Sequence, residues 1–196
     1  MKDRKTLILG IGNTLLGDEG AGVHALELLR SEYPNIPGVC YVDGGTLSFS
    51  LASYFEDCDR LIVFDAAEFK SPPGTVKTLI GDAMDAFLGA AKHSPHEVGL
   101  LDLFDIARLT DTLPEKRALV GIQPETTAWS MEPSPAVARA LETAVTSALG
   151  LLQIWDIVSH DQKRAPSGLH HFRAKSSVVP LIRRNKPLDS KGRKAV

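Results

Sequence analysis

Glu19, Asp65 and His96 each stand just past an apolar run or in the first turn of a predicted helix. In a chain that alternates strand and helix, loops of that kind converge on one edge of a sheet, so residues 46 and 77 positions apart can become neighbours. Two carboxylates and a neutral imidazole make a mixed oxygen and nitrogen donor set for a divalent metal. Three protein ligands also leave positions open to water or substrate, as a functional site requires, and nickel and zinc both suit such donors. Each residue has an ordinary reading as well: Glu19 complementing a helix N-terminus, Asp65 capping a loop, His96 solvated in a first turn. Their joint arrival at one sheet edge favours the site.

Carboxylates accumulate on that edge. Asp18 and Glu19 follow the first apolar run, Asp43 the second and Asp65 the third. Crowded into a poorly solvated cleft they repel one another unless a cation, a shared proton or a basic partner compensates. Ser94-Pro95-His96-Glu97 has the form of a capping box, with Pro95 at the first helical position. His96 is thereby expected at the positive end of a helix, which disfavours the imidazolium and leaves the metal-binding neutral form. Asp43, followed by Gly44-Gly45-Thr46, reads either as a helix-entry turn or as a further carboxylate beside the metal. His93 falls outside the capped helix and is expected to face solvent, and His24 reads as structural. Cys40 and Cys58 lack CxxC spacing and are expected to be buried, reduced thiols.

The elements that must position these groups alternate in period. Thr6 to Gly10 is a continuous apolar strand, and Gly20 to Tyr33 follows as a helix facing inward through Val23, Ala25, Leu26, Leu28 and Leu29, stopped by Pro34. Val39 to Val42 reads as a second strand, Thr46 to Phe55 as a second helix, and Leu61 to Phe64 as a third strand buried on both faces. Thr75 to Ile80 is richer in polar residues, as an edge or antiparallel strand would be. A helix around Leu101 to Leu109, a buried strand Arg117 to Ile122 and a helix opened by Ser134-Pro135 and reaching about Trp155 complete the body. The expected fold is a three-layer α/β/α sandwich with a twisted, mostly parallel sheet of about five strands.

With 196 residues, 43% of them apolar, the chain suits one domain, expected over residues 1–157. Residues 160–196 hold 10 Lys/Arg against 2 Asp/Glu, leaving 12 against 22 in the rest, so residues 158–196 read as a basic, largely disordered tail on an acidic body. The acidic body argues against a nucleic-acid enzyme, and no apolar run is long enough to cross a membrane. A cytoplasmic protein is expected. The Gly10-Ile11-Gly12 opening invites a dinucleotide reading, but Leu15 stands where the third glycine belongs, and Asp43 lies 31 residues after Gly12, farther than the fingerprint's acid.

The run from Gly10 through Gly12-Asn13, Gly17-Asp18-Glu19 and Gly22-Val23, the Asp43-Gly44-Gly45-Thr46 turn, Asp65-Ala66 and Ser94-Pro95-His96 together resemble the hydrogenase maturation endopeptidases. The resemblance spans about residues 5 to 155 and includes Gly121-Ile122-Gln123-Pro124-Glu125. It implies an α/β sandwich that cuts a C-terminal extension from the large-subunit precursor of a nickel-iron hydrogenase after nickel insertion. The family's metal ligands fall on Glu19, Asp65 and His96, with the nickel supplied by the substrate. Asp43 is implied to matter for activity, and we take it, ahead of one of the three ligands, as the catalytic general base. The family is grouped with aspartic-type peptidases. A monomer with the precursor as its partner is expected; the competing readings are a chaperone that holds the precursor without cutting it and a nucleotide-binding Rossmann enzyme.

Overall fold

The computed structural model describes residues 5–46, 51–90 and 95–159, with the side chains of 95–98 excepted. Five strands, β1 (Thr6–Ile11), β2 (Val39–Gly45), β3 (Arg60–Ala66), β4 (Val76–Ile80) and β5 (Lys116–Ile122), form one sheet in the order β2-β1-β3-β5-β4. All neighbours are parallel except β4, which pairs antiparallel with β5 at one edge. The central strands alternate between two buried faces. Ile8, Ile62, Phe64, Ala118 and Val120 face α1 (Ala21–Glu32) and α5 (Pro135–Ile154). Leu7, Leu9, Leu61, Val63 and Leu119 face α2 (Ala52–Glu56), α3 (Asp82–Ala90) and α4 (Pro95–Leu109). Period-two alternation with apolar residues on both sides is what helices covering both faces of a sheet demand. The three-layer α/β/α architecture is the expected one.

Two helix ends follow the sequence signals closely. Ser134 caps α5, its hydroxyl accepting from the Val137 N–H at 3.3 Å, with Pro135 opening the helix. α1 ends at Glu32, and Tyr33 closes it onto Leu29, before Pro34 removes the next amide donor. Two expectations need correction. Cys40 is exposed, because β2 is the other edge of the sheet and carries a half-covered surface. Helix α3 was not expected: nine residues between Gly81 and residue 91 give too short an apolar period to stand out. The second helix is described over Ala52–Glu56 only; its expected start, Thr46, stands in a turn, and residues 47–50 lie outside the described set. Residues 160–196, assigned to the basic tail, are also outside it, whereas Val158 packs into the α1/α5 layer.

Candidate active site at the carboxyl edge of the sheet

The strand order reverses around β1. The chain leaves β1 for β2 on one side and returns through α2 to β3 on the other, with α1 and α2 on opposite faces. A crevice between the carboxyl ends of β1 and β3 follows from that reversal, and such crevices are where open α/β sheets bind ligands.

The glycines of the opening motif build the β1 side of the crevice. Gly12 has φ 129°, and a Cβ there would lie 1.8 Å from the Glu19 carbonyl oxygen. Gly12 is therefore pressed against the chain's own 3-10 turn, Gly17–Gly20. Gly22 lies against both strand ends, since a Cβ would meet the Ile11 and Phe64 carbonyl oxygens at 2.3 Å each. The first turn of α1 is thus pressed onto the ends of β1 and β3, which holds half-buried Glu19 beside the crevice.

Asp65 forms the β3 side. It is 2% exposed and has the strand parity of Leu61 and Val63, so it belongs to the face covered by α4. The end of α4 leads into Asp111 and Thr112, which line a cavity of about 350 Å³ with Asp59 and Lys116 at the amino ends of β3 and β5. Fifteen residues of helix span about 22 Å, so α4 begins at the carboxyl edge. Position 96 is in its first turn, on the helical stripe of Leu100, Phe104 and Ala107 that packs toward the sheet. The side chain of His96 lies outside the described residues. Among the described side chains, no group of three His, Cys, Asp or Glu is placed to hold a metal ion.

Asp43 stands across β1 from Asp65. The β1–β2 register shifts there, Gly10 pairing with Asp43 and Ile11 with Gly45, so Gly44 is the extra residue of a bulge. The Asp43 carboxylate is exposed and accepts from the Gly45 N–H at 2.8 Å. The Gly-Gly turn is therefore a strand-ending bulge that leaves one carboxylate in solvent at the lip of the crevice.

Asp18 has a different role from the other three acids. It is 0% exposed, and its carboxylate accepts from the Glu125 and Thr126 N–H groups at 2.8 and 3.1 Å and from the Ser134 N–H at 2.6 Å. Three backbone donors compensate that charge, so the expectation that all four edge carboxylates await a cation or a basic partner is corrected for Asp18. The contact partners are 107 to 116 residues away, and sequence reading had no signal for them. Gln123 does similar work at the end of β5. It is 4% exposed, accepts from Phe69 N–H at 2.8 Å and donates to Glu68 at 3.1 Å, tying the β3–β4 connection to the crevice.

Cys58 is not a poised nucleophile. Burial, reinforced by Asp59 and Asp57, pushes the Cys58 thiol up to about 12. Cys58 also lines the cavity at the amino-terminal edge, remote from the crevice. His24, on α1, has its pKa lowered by burial, partly opposed by the Asp18 carboxylate.

Comparison with known proteins agrees with this architecture. The family model for hydrogenase maturation protease matches residues 23–151. The hydrogenase expression/formation protein HoxM of Cupriavidus necator is 38% identical over 148 residues, covering 75% of this chain and 73% of that protein. HupD of Rhodobacter capsulatus is 38% identical over 157 residues, covering 80% and 75%. Among solved structures, the hydrogenase maturating endopeptidase HybD from Escherichia coli superposes with a TM-score of 0.73 at 35% identity, over 77% of this chain and 93% of that one. The chain belongs to the hydrogenase maturation protease family.

Proposed function

We propose that this protein removes the C-terminal extension of a nickel-iron hydrogenase large-subunit precursor, and does so only after nickel has been inserted. Glu19, Asp65 and His96 recognise the nickel that the substrate carries, and Asp43 acts as general base toward the water that attacks the peptide carbonyl. The observation that carries the reading is positional. Glu19 and Asp65 flank the β1/β3 crevice, and position 96 lies on the sheet-facing stripe of α4 at the same edge.

The donor types suit nickel: two carboxylate oxygens and an imidazole nitrogen, with positions left for ligands the precursor brings. Bound to the substrate, nickel supplies the contacts that an unloaded precursor lacks. Asp43 is the exposed carboxylate at the lip of the crevice, free to meet water and substrate. Its engagement by the Gly45 N–H fixes the carboxylate's direction. Carboxylates acting on water, rather than a serine or cysteine nucleophile, give an aspartic-type peptidase. Processing in the cytoplasm by a monomer fits this reading.

The test is the mass of a nickel-loaded large-subunit precursor incubated with the purified protein. Loss of the C-terminal extension is expected from the loaded precursor and not from the nickel-free one. A stable complex with no change in mass would instead identify a chaperone that holds the precursor.

A further inference from the structure

The segment after β5 presents apolar side chains at the rim of the crevice, and it does so from a rigid support. Leu16 and Ser130 form a parallel β-bridge, flanked by Gly17 N–H to Ser130 O at 2.8 Å and Ser130 N–H to Leu15 O at 3.1 Å. Asp18 N–H adds a bond to Thr126 O at 3.1 Å, and the Asp18 carboxylate takes three further amides from the same segment. The register sets Leu15 beside Trp129. Leu15 is 44% exposed, Trp129 82% and Met131 63%.

Single exposed apolar residues need no explanation, but three on one bridge, one of them tryptophan, have the composition of a binding hot spot. The surface is continuous with the proposed site. Leu15 and Glu19 share one short loop, and the Leu16–Ser130 bridge joins that loop to the Trp129 segment, so the apolar surface adjoins the Glu19 side of the crevice.

The structure assigns Leu15, Trp129 and Met131 as a docking surface for an apolar segment of the hydrogenase precursor, adjoining the bond that is cut. This rests on the functional reading above. Trp129 is the anchor, entering an apolar contact on the precursor, and Asp18 is the positioning residue that fixes the segment carrying it. The surface contributes to binding rather than to the chemical step, so its loss affects KM more than kcat.

The chain has two tryptophans, and Trp155 is 6% exposed in the core, so 5-fluorotryptophan labelling gives one solvent-facing and one buried 19F resonance. Trp129→Phe assigns the first. Saturating nickel-loaded precursor is expected to shift the Trp129 resonance and leave that of Trp155 in place. Trp129→Ala is expected to raise KM about tenfold, the loss of one anchor side chain, with kcat within about twofold and an unchanged melting temperature. An unmoved Trp129 resonance together with an unchanged KM, while the wild-type chain cuts the precursor, overturns the docking surface alone. A shift that depends on the protein's own concentration without precursor overturns it in favour of self-association. If the wild-type chain leaves loaded precursor uncut, the functional reading fails and this surface fails with it.

Discussion

Two aspartates at one sheet edge carry opposite consequences because their surroundings differ. Asp18 is fully buried and takes three backbone amides, whereas Asp43 is exposed and takes one from its own turn. Replacing Asp18 by Ala strands three amide donors in the interior and is expected to cost about 3 kcal/mol or more in urea unfolding. Asp18→Asn retains an acceptor and should cost less. Asp43→Asn keeps the Oδ1 acceptor for Gly45 and sits in solvent, so its stability should stay within about 0.5 kcal/mol of wild type. As the proposed general base, however, its loss should slow cleavage of nickel-loaded precursor at least ~100-fold, read by the rate of the mass change. Wild-type cleavage by Asp43→Asn would remove it from the mechanism.

Elements set the crevice through contacts between backbones. The Gly12 to Glu19 approach leaves no room for a methyl group, and φ 129° is strained for any L residue. Gly12→Ala should therefore move the 3-10 turn and impair processing even if the variant folds, which amide exchange across Gly17–Gly20 would register. On the other face, Asp85 of α3 takes Arg117 of β5 through two bonds, Nε at 2.9 Å and Nη2 at 2.7 Å. Arg117 bonding, helped by Arg108, holds the Asp85 carboxyl below its ordinary 3.8. A carboxyl that is more acidic folded than unfolded stabilises above the unfolded value and loses that contribution as pH falls through the folded one. Stability should accordingly drop below about pH 3.8 and level off once Asp85 is protonated in the folded state. Asp85→Asn is expected to lose about 2 kcal/mol at neutral pH and to flatten that acid limb, as denaturant melts across pH would show.

Local signals made most of these elements legible before any coordinates. The apolar runs of β1, β3 and β5, the polar face of β4 and the Ser134-Pro135 cap each announce themselves within a few residues. What escaped reading is long-range: the Asp18 clamp, the Asp85–Arg117 pair and the burial of Val158 all depend on partners that topology brings together. Cys40 was misread for the same reason, since an edge strand and a central strand can share an apolar run while only the sheet order tells them apart. The positions of Glu19, Asp43 and Asp65 at one edge were accessible because strand ends in a parallel sheet converge. Gly12 was legible only as the second glycine of an incomplete dinucleotide fingerprint, and not as the point where the chain closes on the Glu19 carbonyl.

At the scale of the whole chain, both apolar layers described are built from residues 5–159, while the basic excess lies in 160–196. Ending the chain after Ser159 is expected to leave its cooperative melt in place, with the melting temperature within about 3 °C by calorimetry, which is about 1 kcal/mol for a domain of this size. Among the described residues no helix is long and apolar enough to cross a membrane. The property proposed for the whole molecule is discrimination: a crevice to which three separated stretches of chain would contribute ligands, accepting a precursor according to the metal it carries. The most direct measurement is the ratio of cleavage rates for nickel-loaded and nickel-free precursor, in the wild-type protein and in Asp65→Asn and His96→Ala. A large ratio is expected in the wild type, collapsing in both variants through loss of the loaded rate. Equal rates on the two precursors in the wild type, or an undiminished ratio in the variants, would contradict it.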